Sequence, residues 1–400
     1  MTAATLAPAF QGVDFYFADS LLTEAEIALR DRVRAWVDER LMPIISQHYL
    51  DGTFPHELVR EMAELGCLGP TIPAAYGGAG RSGLEYGLIM QELERCDSGI
   101  RSFCSVQSSL VMYPILTFGT EAQKRRWLPA MAKGDAVGCF GLTEPDYGSN
   151  PAGMIVHARE TADGWVLNGV KRWLSNGPSA DVAIIWAKTG AMDDAKSVRG
   201  FLVPTDLKGV TVHQVHDKYS LRVSESSWME FEEVHLPADA ILPKSGGLKS
   251  PLMCLTQARY GIAWGAVGSA MACYDEALQY AKNRVMFGKP IAATQLQQER
   301  LADMLTEITK AQLLVLQLGR LKDKGLMTPE QVSLAKRANV DMACNIAREA
   351  RRLLGANGIL SGWHAMRHMA NLESVYTYEG THDMHSLILG QKITGHSAFA

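Results

Sequence analysis

The 400-residue chain has no run of 18 or more uncharged apolar residues, so nothing in it reads as a membrane-spanning helix. It also lacks an excess of either charge: 39 Lys and Arg face 43 Asp and Glu, for a formal net charge of -4. That balance excludes the concentrated basic surface on which nucleic-acid affinity depends. No G-x-G-x-x-G string follows a strand pattern and opens a helix, which excludes a nicotinamide-type Rossmann unit and leaves a redox reading to flavin. Cysteine is sparse. The seven, at 67, 96, 104, 139, 254, 273 and 344, are odd in number and show neither C-x-x-C nor paired spacing, and they read as reduced core thiols. The first 20 residues contain no Lys or Arg and carry Asp14 and Asp19, which fits neither a secretory nor a transit segment. The expectation is a cytoplasmic, bacterial-type protein with no targeting segment.

What is present is enough apolar chain, 47% of residues, for two or three cores. From Leu22 to about Lys133 apolar residues recur at three and four, and Thr23 with Glu26 forms a capping box. The Gly- and Pro-rich stretch 69–83 predicts an ordered loop. Near Asp135 the period changes to two, in runs such as WVLNGVKRWLSN, DVAIIWAK, RGFLVP and SWMEFEEVHLP. No helices intervene, so an antiparallel sandwich or barrel is expected. Helical periodicity returns after 246–251 and continues to the end. The predicted fold class is therefore α+β multidomain: an N-terminal helical domain (1–134), a central β domain (135–247) and a C-terminal helical bundle (248–400).

Several strings carry polar groups suited to chemistry, each with a plainer alternative. GLTEPDYGSN (141–150) offers the Thr143 and Ser149 hydroxyls to a polar cofactor edge, or is a polar loop. KRWLSN (171–176) sets the Trp173 indole near Ser175, suited to walling a flat ring, although a buried strand Trp is the commoner explanation. Gly355 and Gly358 of LLGANGI let backbone approach a phosphate or simply end a helix. Glu379 of YEGT stands between an aromatic and a glycine, where desolvation raises a carboxylate into the range of a general base. His364 and His368 lie at i, i+4, yet no third ligand is in place, so no metal site is expected.

These strings, in this order and together with RVMFGKPIAATQLQQ (284–298) and YEGTHD (378–383), resemble the acyl-CoA dehydrogenase family from about Leu21 to Phe399. The resemblance implies an N-terminal helical domain, a central β domain, a C-terminal four-helix bundle, FAD as cofactor and a homotetramer. It implies that Glu379 removes the α-proton of an acyl-CoA thioester while hydride leaves Cβ for the flavin. Thr143, Ser149, Trp173 and Ser175 match the flavin-edge positions. Arg284, Phe287, Gln295, Gly355 and Gly358 match those that hold the FAD pyrophosphate and adenosine across a subunit interface, with Thr381 also near FAD. Arg259 matches an arginine close to the active site.

Within the family, the residues 92–112 and 371–390 resemble the glutaryl-CoA dehydrogenase branch. That likeness implies that Arg101 and Ser102 bind the distal carboxylate, with Glu94 in the same network and Tyr378 beside the base. Glutaryl-CoA would be dehydrogenated and decarboxylated to crotonyl-CoA and CO2, with electrons passing to electron-transfer flavoprotein. The alternatives are another short-chain or longer dicarboxylyl-CoA, a short-chain acyl-CoA oxidase, and, more distantly, a non-catalytic acyl-CoA or FAD binder. The chain departs from the family pattern at Ser220, where KYSLR has Ser for Gly, at Asn150 and at Tyr376.

Overall fold

The computed structural model describes residues 9–399. The N-terminal part is helical: α1 (Glu24–Trp36), α2 (Ile45–Asp51), α3 (Val59–Glu64), α4 (Gly83–Cys96), α5 (Ser98–Ser105), α6 (Tyr113–Phe118) and α7 (Glu121–Ala132). The capping box at α1 is present, with Glu26 N donating to Thr23 Oγ1 at 3.3 Å and Thr23 N to Glu26 Oε2 at 2.8 Å. The stretch 69–82 is a loop apart from one 3-10 turn at Ala74–Tyr76, and Gly83 opens α4. Both α4 and α5 are buried along nearly their whole length. They are the inner helices on which the site is built.

The central strands are β1 (Gly138–Gly141), β2 (His157–Thr161), β3 (Gly164–Ser175), β4 (Val182–Lys188), β5 (Val198–Pro204), β6 (Val210–Gln214) and β7 (Ser226–Pro237). They form one seven-stranded sheet. Four of its pairings are antiparallel, as the missing crossover helices require, but β4 lies parallel to β1 and touches β2 in parallel at His157 and Lys188. The sheet is mixed because the β2–β3 hairpin intervenes between β1 and β4 and returns the chain in the β1 direction. The short strands β1, β2 and β6 escaped the sequence reading, since four or five residues hold too few periods to register.

Then follow α8 (Lys249–Asn283), the small hairpin β8 (Val285–Met286) and β9 (Lys289–Pro290), α9 (Gln295–Asp323), α10 (Pro329–Leu353), α11 (Ala365–Thr377) and α12 (His382–Thr394). A Cβ on Gly265 of α8 would lie 1.9 Å from Glu94 Oε2, and one on Gly268 would lie 2.0 Å from Gln91 O. The approach of α8 to α4 therefore depends on these two glycines. One buried cluster runs continuously from α1 through α4 and α8 to α10 and α11. No helix among the described residues is long and apolar enough to cross a membrane.

Candidate active site

Glu379 lies in the short turn between α11 and α12, and its backbone is left-handed at φ 54°. That conformation is uncommon for a residue with a Cβ and persists only where surroundings enforce it. Three contacts do so. Arg259 Nε, from α8, donates to Glu379 O at 2.6 Å, and Lys336 Nζ, from α10, donates to Tyr378 O at 2.7 Å and Gly380 O at 2.6 Å. Glu379 Oε2 is buried without a hydrogen-bond partner. Burial pushes the carboxyl pKa up from its ordinary value, while Arg101, Lys336 and Arg259 pull it back, and the net displacement is upward. The arrangement makes a carboxylate that is basic yet still able to ionise.

Arg101 on α5 is fully buried and paired through Nε to Glu94 Oε2 at 2.5 Å. Its Nη2 donates to the Tyr378 hydroxyl, and its Nη1 is buried with no partner. Burial alone would lower its pKa, but Glu94, Tyr378 and Glu379 outweigh that and raise it. Ser98 Oγ occupies the other Glu94 oxygen at 2.9 Å, and Ser102 is buried one position beyond Arg101. The start of α5 is fixed to α11 through Asp97, which accepts from Gly99 N at 2.7 Å and Asn371 Nδ2 at 2.8 Å and pairs with Arg367 at 3.1 Å. Because α11 runs directly into Tyr378, this link sets Arg101 against Glu379. His385, on α12, has both ring nitrogens buried and unpartnered, and burial with Lys336 and Arg259 pushes it down to about 3, leaving it neutral.

A second group sits on the sheet. The ladder between β3 and β7 shifts register between Arg172 and Leu174, and this bulge puts Trp173 at φ 62°. The indole is 57% exposed, so the commoner expectation of a buried strand Trp is corrected: the bulge rotates it out of the ladder. Arg172 N donates to Thr143 O at 2.8 Å, which holds the 141–150 loop against the bulge. Beneath it Lys171 and Glu144 form a buried pair at 2.8 Å, and Glu144 also accepts from Ile155 N at 2.6 Å and Val156 N at 3.0 Å. Ser149 is exposed, and Ser175 ends β3 opposite Ser226. Asn176 Nδ2 donates to Phe103 O at 3.4 Å, joining this group to α5 two residues from Arg101.

The remaining residues lie elsewhere. Arg284, Phe287 and Gln295 are exposed around the β8–β9 hairpin, beyond the end of α8. Arg259 and Asn283 are 24 positions apart on α8, about 36 Å of helix, so this set is remote from Glu379 within the chain. Gly355, at φ +60°, follows the end of α10, and a Cβ at Gly358 would meet Arg351 O at 2.3 Å. Gly355 leaves open space around its backbone, and Gly358 packs tightly against the last turn of α10. Thr381 caps α12 by accepting from Met384 N at 3.2 Å. His368 Nε2 donates to Arg95 O at 3.2 Å, and His364 Nδ1 faces Arg367 at 3.0 Å, so both rings serve helix packing. At the departures, Ser220 Oγ bonds Ser374 Oγ at 2.6 Å on α11, and Tyr376 stacks on His382 at 4.5 Å.

Sequence reasoning missed Lys336, Lys171 and Glu144. The signal for Lys336 was available: Val332, Lys336, Asn339 and Val340, Ala343 and Ala347 share the buried stripe of α10, where an ammonium requires a partner.

Helical, sheet and helical parts in this order, with a buried carboxylate held among cations at their junction, define a class of enzyme. The three parts match the acyl-CoA dehydrogenase N-terminal domain over residues 23–135, its middle domain over 139–234 and its C-terminal domain over 245–394. The chain belongs to the acyl-CoA dehydrogenase family, and it is an FAD-dependent dehydrogenase. A glutaryl-CoA dehydrogenase from Mycobacterium smegmatis is 50% identical, with a TM-score of 0.93 over 96% of this chain and 97% of that one. A structure described as that organism's glutaryl-CoA dehydrogenase in complex with FADH2 is 47% identical, with a TM-score of 0.95 over 98% and 100%. The human mitochondrial short-chain specific acyl-CoA dehydrogenase is 35% identical over 92% of this chain and 90% of its own. FAD fits the residues present, because the Trp173 indole is more than half exposed next to the Thr143 loop, where a flat ring can be walled.

Proposed function

We propose that this enzyme oxidises glutaryl-CoA and releases CO2 to give crotonyl-CoA, passing electrons to electron-transfer flavoprotein. The observation that carries the reading is the buried, unpartnered Arg101 Nη1. An unpaired guanidinium N–H in a dry site is costly, and a carboxylate relieves that cost where a plain alkyl tail leaves it. With Nε on Glu94 and Nη2 on the Tyr378 hydroxyl, Arg101 keeps Nη1 for the substrate, and Ser102 adds a hydroxyl one position along. The identity to two glutaryl-CoA dehydrogenase structures supports the same substrate class.

In this reading Glu379 takes the α-proton of the thioester, and its buried setting supplies the required basicity. Bound FAD supplies the acceptor for the electron pair that leaves Cβ. Trp173, Thr143, Ser149 and Ser175 hold the flavin edge, while Arg259 fixes the base loop through its carbonyl. Protonated Glu379 then returns its proton to the dienolate left when the C–C bond to the distal carboxylate breaks. Arg284, Phe287, Gln295, Gly355 and Gly358 serve the FAD of a neighbouring subunit in a homotetramer, with Thr381 also near FAD. Phe287 is 96% exposed at a hairpin tip, as a residue completing a neighbour's site would be. The division at 134 and 247 belongs to the same reading, since the sheet begins and ends between those positions.

Arg101→Gln tests the substrate. Losing a charge-assisted bond of about 3 kcal/mol should lower kcat/KM for glutaryl-CoA roughly 100-fold, with butyryl-CoA changed by less than about 10-fold. Equal losses on the two substrates would assign Arg101 a structural role instead.

A further inference from the structure

Three successive carbonyls, those of Tyr378, Glu379 and Gly380, are each held by a cation: the outer two by Lys336 and the middle one by Arg259. Lys336 is 1% exposed. Its ammonium bridges the carbonyls of the two residues that flank Glu379, which lies at φ 54° and is followed by Gly380 at φ 94°. A compact ammonium with three N–H groups can reach two converging carbonyls, which suits Lys to this point. No backbone hydrogen bond of α11 or α12 supplies that bridge.

The charged and titratable groups around it come from every neighbouring element. Arg101 approaches from α5, Arg259 from α8, and His382 and His385 from α12, with Glu379 and Tyr378 in the turn and Glu94 on α4 behind Arg101. Three of these side chains are basic beyond the histidines, counting Lys336, against the carboxylates of Glu94 and Glu379. Arg101 is neutralised by Glu94, and Arg259 binds the backbone of the turn.

We propose that Lys336 is a positioning residue for the base: it locks the left-handed turn through the two flanking carbonyls and sets the charge at the Glu379 carboxylate. The proposal rests on Glu379 being the base. It agrees with the electrostatics, since Lys336 pulls the Glu379 carboxyl downward and burial brings Lys336 itself down to about 7 against the pull of Glu379.

The test compares Lys336→Gln, which removes the charge, with Lys336→Arg, which keeps it. The Glu379 carboxyl is titrated by infrared difference spectroscopy on substrate-free holoenzyme, with its band assigned from E379Q. In K336Q the midpoint should rise by about one pH unit, and the acid limb of kcat/KM should rise with it. In K336R both should stay near the wild-type position even where the rate falls, because the Coulomb effect outlasts loss of the exact hydrogen bonds. An unchanged midpoint in K336Q, or an equal rise in both variants, overturns the proposal. The titration needs no substrate, so it is separable from the role of Glu379, which falls if E379Q still turns over.

Discussion

The Glu379 carboxyl is set by neighbours that act in opposite directions. Burial strengthens its hold on a proton, and the cations Arg101, Lys336 and Arg259 weaken it again, so that the carboxylate remains available. Because its pKa stays above the ordinary carboxyl value, activity should fall as pH drops through that raised pKa. Glu379→Gln should lower turnover by at least about 100-fold, the usual contribution of a positioned base, with flavin content unchanged. Absorbance of bound flavin together with a turnover assay checks this, and retained turnover would contradict it. The sequence already singled out this residue through its flanking aromatic and glycine. It could not show the left-handed φ of Glu379, Trp173 or Phe287, three of the seven non-glycine residues at positive φ among those described. At Glu379 the contacts of Arg259 and Lys336 enforce it and at Trp173 the sheet bulge does, whereas at Phe287 it is the geometry of the two-residue hairpin turn.

At the scale of elements, the site depends on how closely α4 and α8 approach. Gly265 leaves room for the Glu94 carboxylate that orients Arg101. Gly265→Ala places a Cβ where Glu94 Oε2 now lies, so Glu94 must move. We expect destabilisation of about 1–3 kcal/mol with a loss of glutaryl-CoA preference over butyryl-CoA. Thermal unfolding and paired substrate assays measure the two effects, and an unchanged preference would detach Glu94 from specificity. Long periodic elements were legible in the sequence: the α1 capping box, the long strands β3 and β7 and the helical return after 246–251 all appear in the structure. What was not legible is contact across sequence distance. Lys171 with Glu144, and Lys336 with the turn 42 to 44 residues away, are pairs whose members look ordinary alone. Only the buried helical stripe around Lys336 carried a local sign of its role.

Across the whole molecule, the residues proposed for the site lie on separate parts of the fold that are tied to one another. Arg101 and Glu94 come from the N-terminal helices, Trp173 and Thr143 from the sheet, and Arg259, Lys336 and Glu379 from the C-terminal helices. Asn176 to Phe103 and Asp97 to Asn371 are among the bonds that join these parts. The arrangement explains why composition and periodicity alone reached a multidomain fold but only the ordered motifs reached a reaction. In the proposed function a buried base and a buried arginine with one unpartnered nitrogen together act on a carboxylate-bearing acyl-CoA. Mixing the purified holoenzyme with glutaryl-CoA without oxygen, following flavin absorbance and weighing the acyl-CoA by mass spectrometry tests it most directly. Bleaching with crotonyl-CoA as product is expected; absence of bleaching with glutaryl-CoA, alongside bleaching by butyryl-CoA, would overturn the proposed function.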